Sequence, residues 1–144
     1  DFIGDSLRGT RGISTDMFKQ PEKLLEVLDW VTPVMIQRGL TSARMGNAPI
    51  VGFRLHKGSD PFMSDDHFQT FYWPQWKKVM MAFINEGLIV RGGCQGFHNK
   101  RLETYRTMPK GKVYIFATSN IDRNAKAENV KAMIKTVKEY GAYS

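Results

Sequence analysis

A single cysteine, Cys94, in a chain of 144 residues excludes an internal disulfide framework and fits a reducing cytoplasm. It also starves any zinc site, which needs three or four ligands, because no second cysteine exists. No apolar run reaches the roughly 18 residues that would suggest a membrane span, so no membrane partner is expected. No basic-then-apolar leader is visible, which argues against secretion and for a cytoplasmic location. Solenoid-period repeats and low-complexity segments are missing too. Acidic residues are the minority, 14 against 21 Lys and Arg, for a formal charge of +7. The cations are scattered, from Arg8 and Arg11 to Lys131, Lys135 and Lys138, which is the pattern of solvated surface. A nucleic-acid module clusters them with exposed aromatics. Here the aromatics fall in helical stripes instead, so no nucleic-acid partner is expected.

What is present is enough apolar material, 42% of residues, for one globular domain. Residues 49–90 organise the rest. Ile50–Leu55 is short, apolar and β-branched enough for a strand. A polar turn, His56-Lys57-Gly58-Ser59-Asp60-Pro61, follows it. Ser64 before Asp65 and Asp66 suits a helix N-cap with acidic residues in the first turn. Phe68, Tyr72, Trp76, Val79, Met80 and Phe83 recur at helical spacing, interrupted by Pro74, so two collinear helices are expected. Gly87 stops them and residues 88–90 open the next strand. Strand, turn, helix, strand is a βαβ unit whose ligand end is the strand's carboxyl end.

Upstream, residues 1–12 carry Gly4, Gly9 and Gly12 with Arg8 and Arg11. They read as a flexible basic turn, either a close-approach site for an anion or a plain entry loop. Ser14 or Thr15 caps a short helix, and Pro21 opens a longer one with Leu24, Leu28, Val31 and Met35 inside. Pro33 should bend it, and Gly39 and Gly46-Asn47 mark its frayed end. Downstream, residues 91–96 form a glycine-rich turn that lacks the dinucleotide fingerprint. Asn99 can cap a helix over Leu102, Tyr105 and Met108. Residues 112–117 (KVYIFA) read as a third strand. A last amphipathic helix turns Val130, Met133, Ile134 and Val137 inward and stops at Gly141.

Two pairings carry candidate chemistry. His56 and Asp60 sit in one turn at a strand's carboxyl end, either as a general acid–base pair or as a turn-bonded Asp60 beside a half-exposed His56. Cys94 and His98 are four apart, either a nucleophile and its base or a small buried hydrophobe beside an unrelated histidine.

Three long stretches carry a family resemblance: DSLRGTRGISTDMFKQPEKLLEVLDWVTPVMI (residues 5–36), HKGSDPFMSDDHFQTFYWPQWKKV (56–79) and AKAENVKAMIKTVKEYGAY (125–143). In that order the chain resembles the uroporphyrinogen decarboxylase superfamily, especially a bacterial decarboxylase-like branch. The family includes porphyrinogen decarboxylases, which need no cofactor, and zinc-dependent corrinoid methyltransferases. Its fold is a (β/α)₈ barrel, which needs roughly 200 residues at minimum. The resemblance therefore implies an α/β, partial TIM-type barrel of about three parallel strands with covering helices, one domain over residues 1–144. It also implies a family gap between Ala117 and Thr118. A tyrosine of the decarboxylases stands where Ser6 lies here, and their carboxyl-terminal histidine falls near Ser119. The methyltransferases' His-x-Cys zinc pair would fall on Ile115, Phe116 and Ala117, so no metal is expected. The function implied is a lyase-type family member, without cofactor, binding a small anionic organic ligand through Arg8, Arg11, His56, Lys57, Asp60, Gln95 and His98. Two alternatives stand beside it, a corrinoid-dependent methyltransferase-like protein and a non-catalytic remnant stable only as an assembly. Exposed edge strands imply that the chain self-associates as a homo-oligomer.

Overall fold

Helix takes up most of the chain. In the computed structural model, which describes residues 1–117 and 125–140, a π-turn at Ile3–Leu7 leads into α1 (Gly9–Lys19). The glycines and arginines of residues 1–12, read as a flexible turn, are thus largely helical. Pro21 at the first turn opens α2 (Pro21–Met45), where its missing N–H costs nothing. Pro33 lies inside α2 without ending it, and Gly39 is mid-helix rather than at a frayed end.

Next come β1 (Ile50–Leu55), α3 (Asp65–His67), a π-turn at Phe68–Tyr72 and α4 (Trp73–Asn85). Ser64 caps this run as its position suggested, its hydroxyl accepting the His67 N–H at 3.1 Å. The widened turn has a local cause. Pro74 offers no N–H to the carbonyl four residues back and its ring crowds that turn. The ladder slips by one residue just before it, and Trp73 N–H bonds the Phe68 carbonyl instead. The slip puts Phe68, Phe71, Trp73, Trp76, Met80 and Phe83 together in the core.

β2 (Ile89–Cys94) pairs parallel to β1, and β3 (Val113–Ala117) pairs parallel to β2, giving the order β1-β2-β3. Between β2 and β3 lie a 3-10 turn (Asn99–Arg101) and α5 (Leu102–Tyr105). His98, not Asn99, precedes that turn, and no side chain caps it. The sheet is open, and this corrects the expected partial barrel. A barrel closes only when tilted strands return to their start; here three strands end in two edges and α2 and α4 pack together over one face. The burial of β1 alternates accordingly. Val51, Phe53 and Leu55 turn toward the helices, whereas Ile50, Gly52 and Arg54 are exposed. The register sets Phe53 opposite Gly92 and Leu55 opposite Cys94, which continues the covered face across the sheet.

The last helix, α6 (Ala127–Tyr140), departs from its expected packing. Met133, Ile134 and Val137 are 48%, 46% and 64% exposed, so among the described residues no core receives its apolar stripe. The expected stop at Gly141, Ser119 and the far side of the 117/118 join lie outside the described residues.

Candidate functional site

Because β1 and β2 are parallel and in register at Leu55 and Cys94, their following loops leave the same end of the sheet. Backbone bonds tie them together: the Gln95 N–H donates to Leu55 O at 3.0 Å and the Asp60 N–H to Phe97 O at 2.7 Å. Asp60 also accepts the Lys100 N–H at 3.1 Å, and its other oxygen lies 3.5 Å from Nε of Arg101. Asp60 is therefore an inter-loop fastener, and not the partner of His56.

Arg101 is the centre of that fastening. Fully buried, it reaches Asp65 Oδ1 at 2.5 Å, donates to the Met63 and Ser64 carbonyls at 2.8 and 3.2 Å, and reaches Gly58 O at 3.4 Å. Its guanidinium lies 4.5 Å from the centroid of the Phe68 ring. Five donors in a planar fork allow one side chain to serve so many acceptors. Sequence reading passed over Arg101 because no periodicity or spacing marks it. Asp65 and Asp66 did signal local charge, but only as helix capping.

His56 finds its carboxylate elsewhere. Its Nδ1 lies 3.9 Å from Oδ2 of Asp5, in the first π-turn, while the other Asp5 oxygen accepts a hydrogen bond from Nζ of Lys57. Lys57 is buried, and its backbone N–H donates to Asp1 Oδ1 at 2.8 Å. Tyr72 O–H donates to the other oxygen of Asp1 at 2.7 Å. Gly4 makes the crossing possible, since a β-carbon there would sit 2.8 Å from Cε of Lys57. The Lys57 bond holds the Asp5 carboxyl below its usual range.

The remaining expected site residues divide. Arg8 is held bidentately by Asp16, at 2.6 and 3.0 Å, within the same helical region. Arg11 is exposed on α1, and Gln95 is exposed at the end of β2. His98 is buried with Nδ1 2.7 Å from Tyr105 O–H, and its Nε2 has no partner among the described residues. Lys57 alone of the seven lines the apolar cavity described below; His56 and Lys57 meet through Asp5, and Asp60 ties its loop to the one that carries His98, so the four do not share one hollow.

Cys94, 4% exposed, is buried beside Tyr105, and burial pushes its thiol up to about 11. A protonated thiol is a poor nucleophile, so the geometry favours the small buried hydrophobe. Burial lowers the pKa of His98. In the unfolded chain that ring binds a proton near pH 6.5, whereas the folded chain resists it. Folding stability should then be full above that pH and fall as pH drops below it, because the unfolded state binds more protons there. Urea unfolding from pH 7.5 to 5 checks this. His98→Phe should flatten that slope, and an unchanged slope would assign it to other groups.

No family profile, curated protein or solved structure matches the chain. Among the described residues no helix is long and apolar enough to cross a membrane.

Proposed function

We propose that the chain is a ligand-binding unit of the uroporphyrinogen decarboxylase superfamily. It takes a porphyrinogen-like anionic organic ligand, in the cytoplasm, at the carboxyl ends of β1 and β2. One observation carries this reading: Asp5 holds Lys57 and comes near His56, so the first residues of the two longest family-like stretches meet at the expected ligand end. Asp5 has a 41% exposed side chain and sits on a short turn, so a ligand carboxylate can take its place against Lys57 and His56. In a lyase-type reaction, loss of carbon dioxide leaves a carbanion, and the His56 ring is the group in place to hand it a proton.

Titration with a polycarboxylated porphyrin, followed by porphyrin fluorescence, tests the reading. Lys57→Met and His56→Ala should each weaken binding roughly tenfold, the expected loss of one charged hydrogen bond. Asp5→Asn should tighten it by removing the competing carboxylate. Circular dichroism verifies that each variant is folded. Equal affinity across folded variants would refute the site.

A further inference from the structure

Behind Lys57, on the helix-covered side of β1, lies a cavity of about 260 Å³. Its wall is almost wholly apolar, with Met17, Leu28, Met35, Phe53, Phe71 and Trp76 drawn from α1, α2, β1, the second π-turn and α4. The polar groups along that wall are mostly spoken for. Thr32 Oγ1 and Gln75 Oε1 are 3.0 Å apart, and the Gln75 amide donates to Asp29 at 2.9 Å. Tyr72 donates to Asp1. Two groups are not: Trp76 Nε1 is buried with no partner among the described residues, and Lys57 has donors to spare. Its ammonium has three donors and is only 8% exposed, yet among the described residues Asp5 is the only hydrogen-bond acceptor its Nζ reaches. Spare donors on a buried ammonium are costly where water has little access.

We propose that this cavity binds a neutral, compact apolar molecule carrying one oxygen acceptor, a ketone or ether class of ligand, with that oxygen on Lys57. Size sets the body of the ligand. A 150 Å³ apolar cavity holds benzene, so this one suits roughly ten or eleven non-hydrogen atoms, two fused rings. Charge sets its neutrality. Lys57 Nζ is already paired with the Asp5 carboxylate, so an added anion placed on it would meet repulsion from Asp5. A neutral acceptor satisfies the remaining Lys57 donors without that repulsion. The site shares Lys57 with the anionic one proposed above, but its body lies behind that residue, whereas the anionic one lies over the loops and is entered by displacing Asp5.

Methionine methyl groups offer a local readout, since Met17, Met35 and Met63 line the cavity while Met45 is 85% exposed on α2. Methyl-labelled protein is titrated with tetralone, with tetralin, which has the same rings and no oxygen, and with naphthoate. Tetralone should shift the three lining methyls and leave Met45 in place. It should bind about tenfold more tightly than tetralin, as one hydrogen bond to a charged group provides. Lys57→Met should erase that difference while the lining methyls still respond. Leu28→Trp should fill the space and abolish the shifts but leave porphyrin binding unchanged, so the two sites fail independently. The methyl of Met80, 0% exposed in the core and outside the cavity lining, keeps its dispersed shift only while a variant is folded and so reports folding. Equal affinity for tetralone and tetralin, naphthoate binding as tightly as the ketone, or no shift of the lining methyls at millimolar tetralone would each overturn the proposal.

Discussion

Replacing Arg101 with methionine should cost about 3–5 kcal/mol of folding stability, the range for removing one partner of a buried charge network. The methionine approximates the length and stacks over Phe68, so packing is largely kept and the loss isolates the polar role. The Gly58 and Met63 carbonyls lose the guanidinium, the Ser64 carbonyl keeps only the Phe68 N–H, and Asp60 and Asp65 lose their cation. The carbonyl and Asp60 contributions should dominate. The Asp65 side chain is 56% exposed and can be rehydrated, whereas that of Asp60 is only 14% exposed. Arg101→Lys should recover little, because an ammonium lacks the flat fork that spans these acceptors. Urea unfolding measures both variants. A loss under about 1 kcal/mol for the methionine variant would mean that water replaces the guanidinium and that the two loops are held by backbone bonds alone.

The second large effect concerns the helix crossing. Phe83, 1% exposed, places its ring over Gly39 of α2, where a β-carbon would sit 2.5 Å from Cζ. It also meets Phe53, with ring centroids 5.6 Å apart. Phe83→Ala should cost about 3–5 kcal/mol through lost burial and the hollow left behind. Gly39→Ala in the otherwise native chain should cost about 1–3 kcal/mol by overpacking, less the gain of up to about 1 kcal/mol from replacing a mid-helix glycine. In the Phe83→Ala background the sign should reverse, since the added methyl then enters empty space and only the helix gain remains. A double-mutant cycle reads this coupling directly. Additive costs would show that α2 and α4 separate to relieve the clash, and that Gly39 is not what sets their approach.

Local chemistry made some elements legible. Ser64 before two aspartates, the aromatic stripe from Phe68 to Phe83 and the β-branched start of β1 each act within a few residues, and each forms where its pattern points. The architecture was not legible in the same way. Period-two alternation in IVGFRL is blurred by the exposed Ile50, and it marks a sheet covered on one face; family likeness led instead toward a partial barrel. Gly39 looked like a helix end because a glycine alone carries no record of the ring packed against it. Among site residues, the joining of the two loops was readable from parallel strand order. The choice of Asp5 over Asp60 for His56 was not, because it depends on where a helical turn 51 residues upstream is set down. Arg101 belongs to the same class, its partners being fixed by tertiary geometry rather than by spacing.

The position of Arg101 along the chain also imposes an order on synthesis. Gly58, Met63, Ser64 and Asp65 are polymerised before it, and its ion-pair partner Asp65 precedes it by 36 residues. At the usual ribosomal pace of about 5–20 residues per second, that interval is roughly 2–7 s. Throughout it the Gly58 and Met63 carbonyls and the Asp60 and Asp65 carboxylates lack the guanidinium that later joins them. The ligand end of the βαβ unit therefore cannot be locked before residue 101 has been made. One late side chain then acts as the latch.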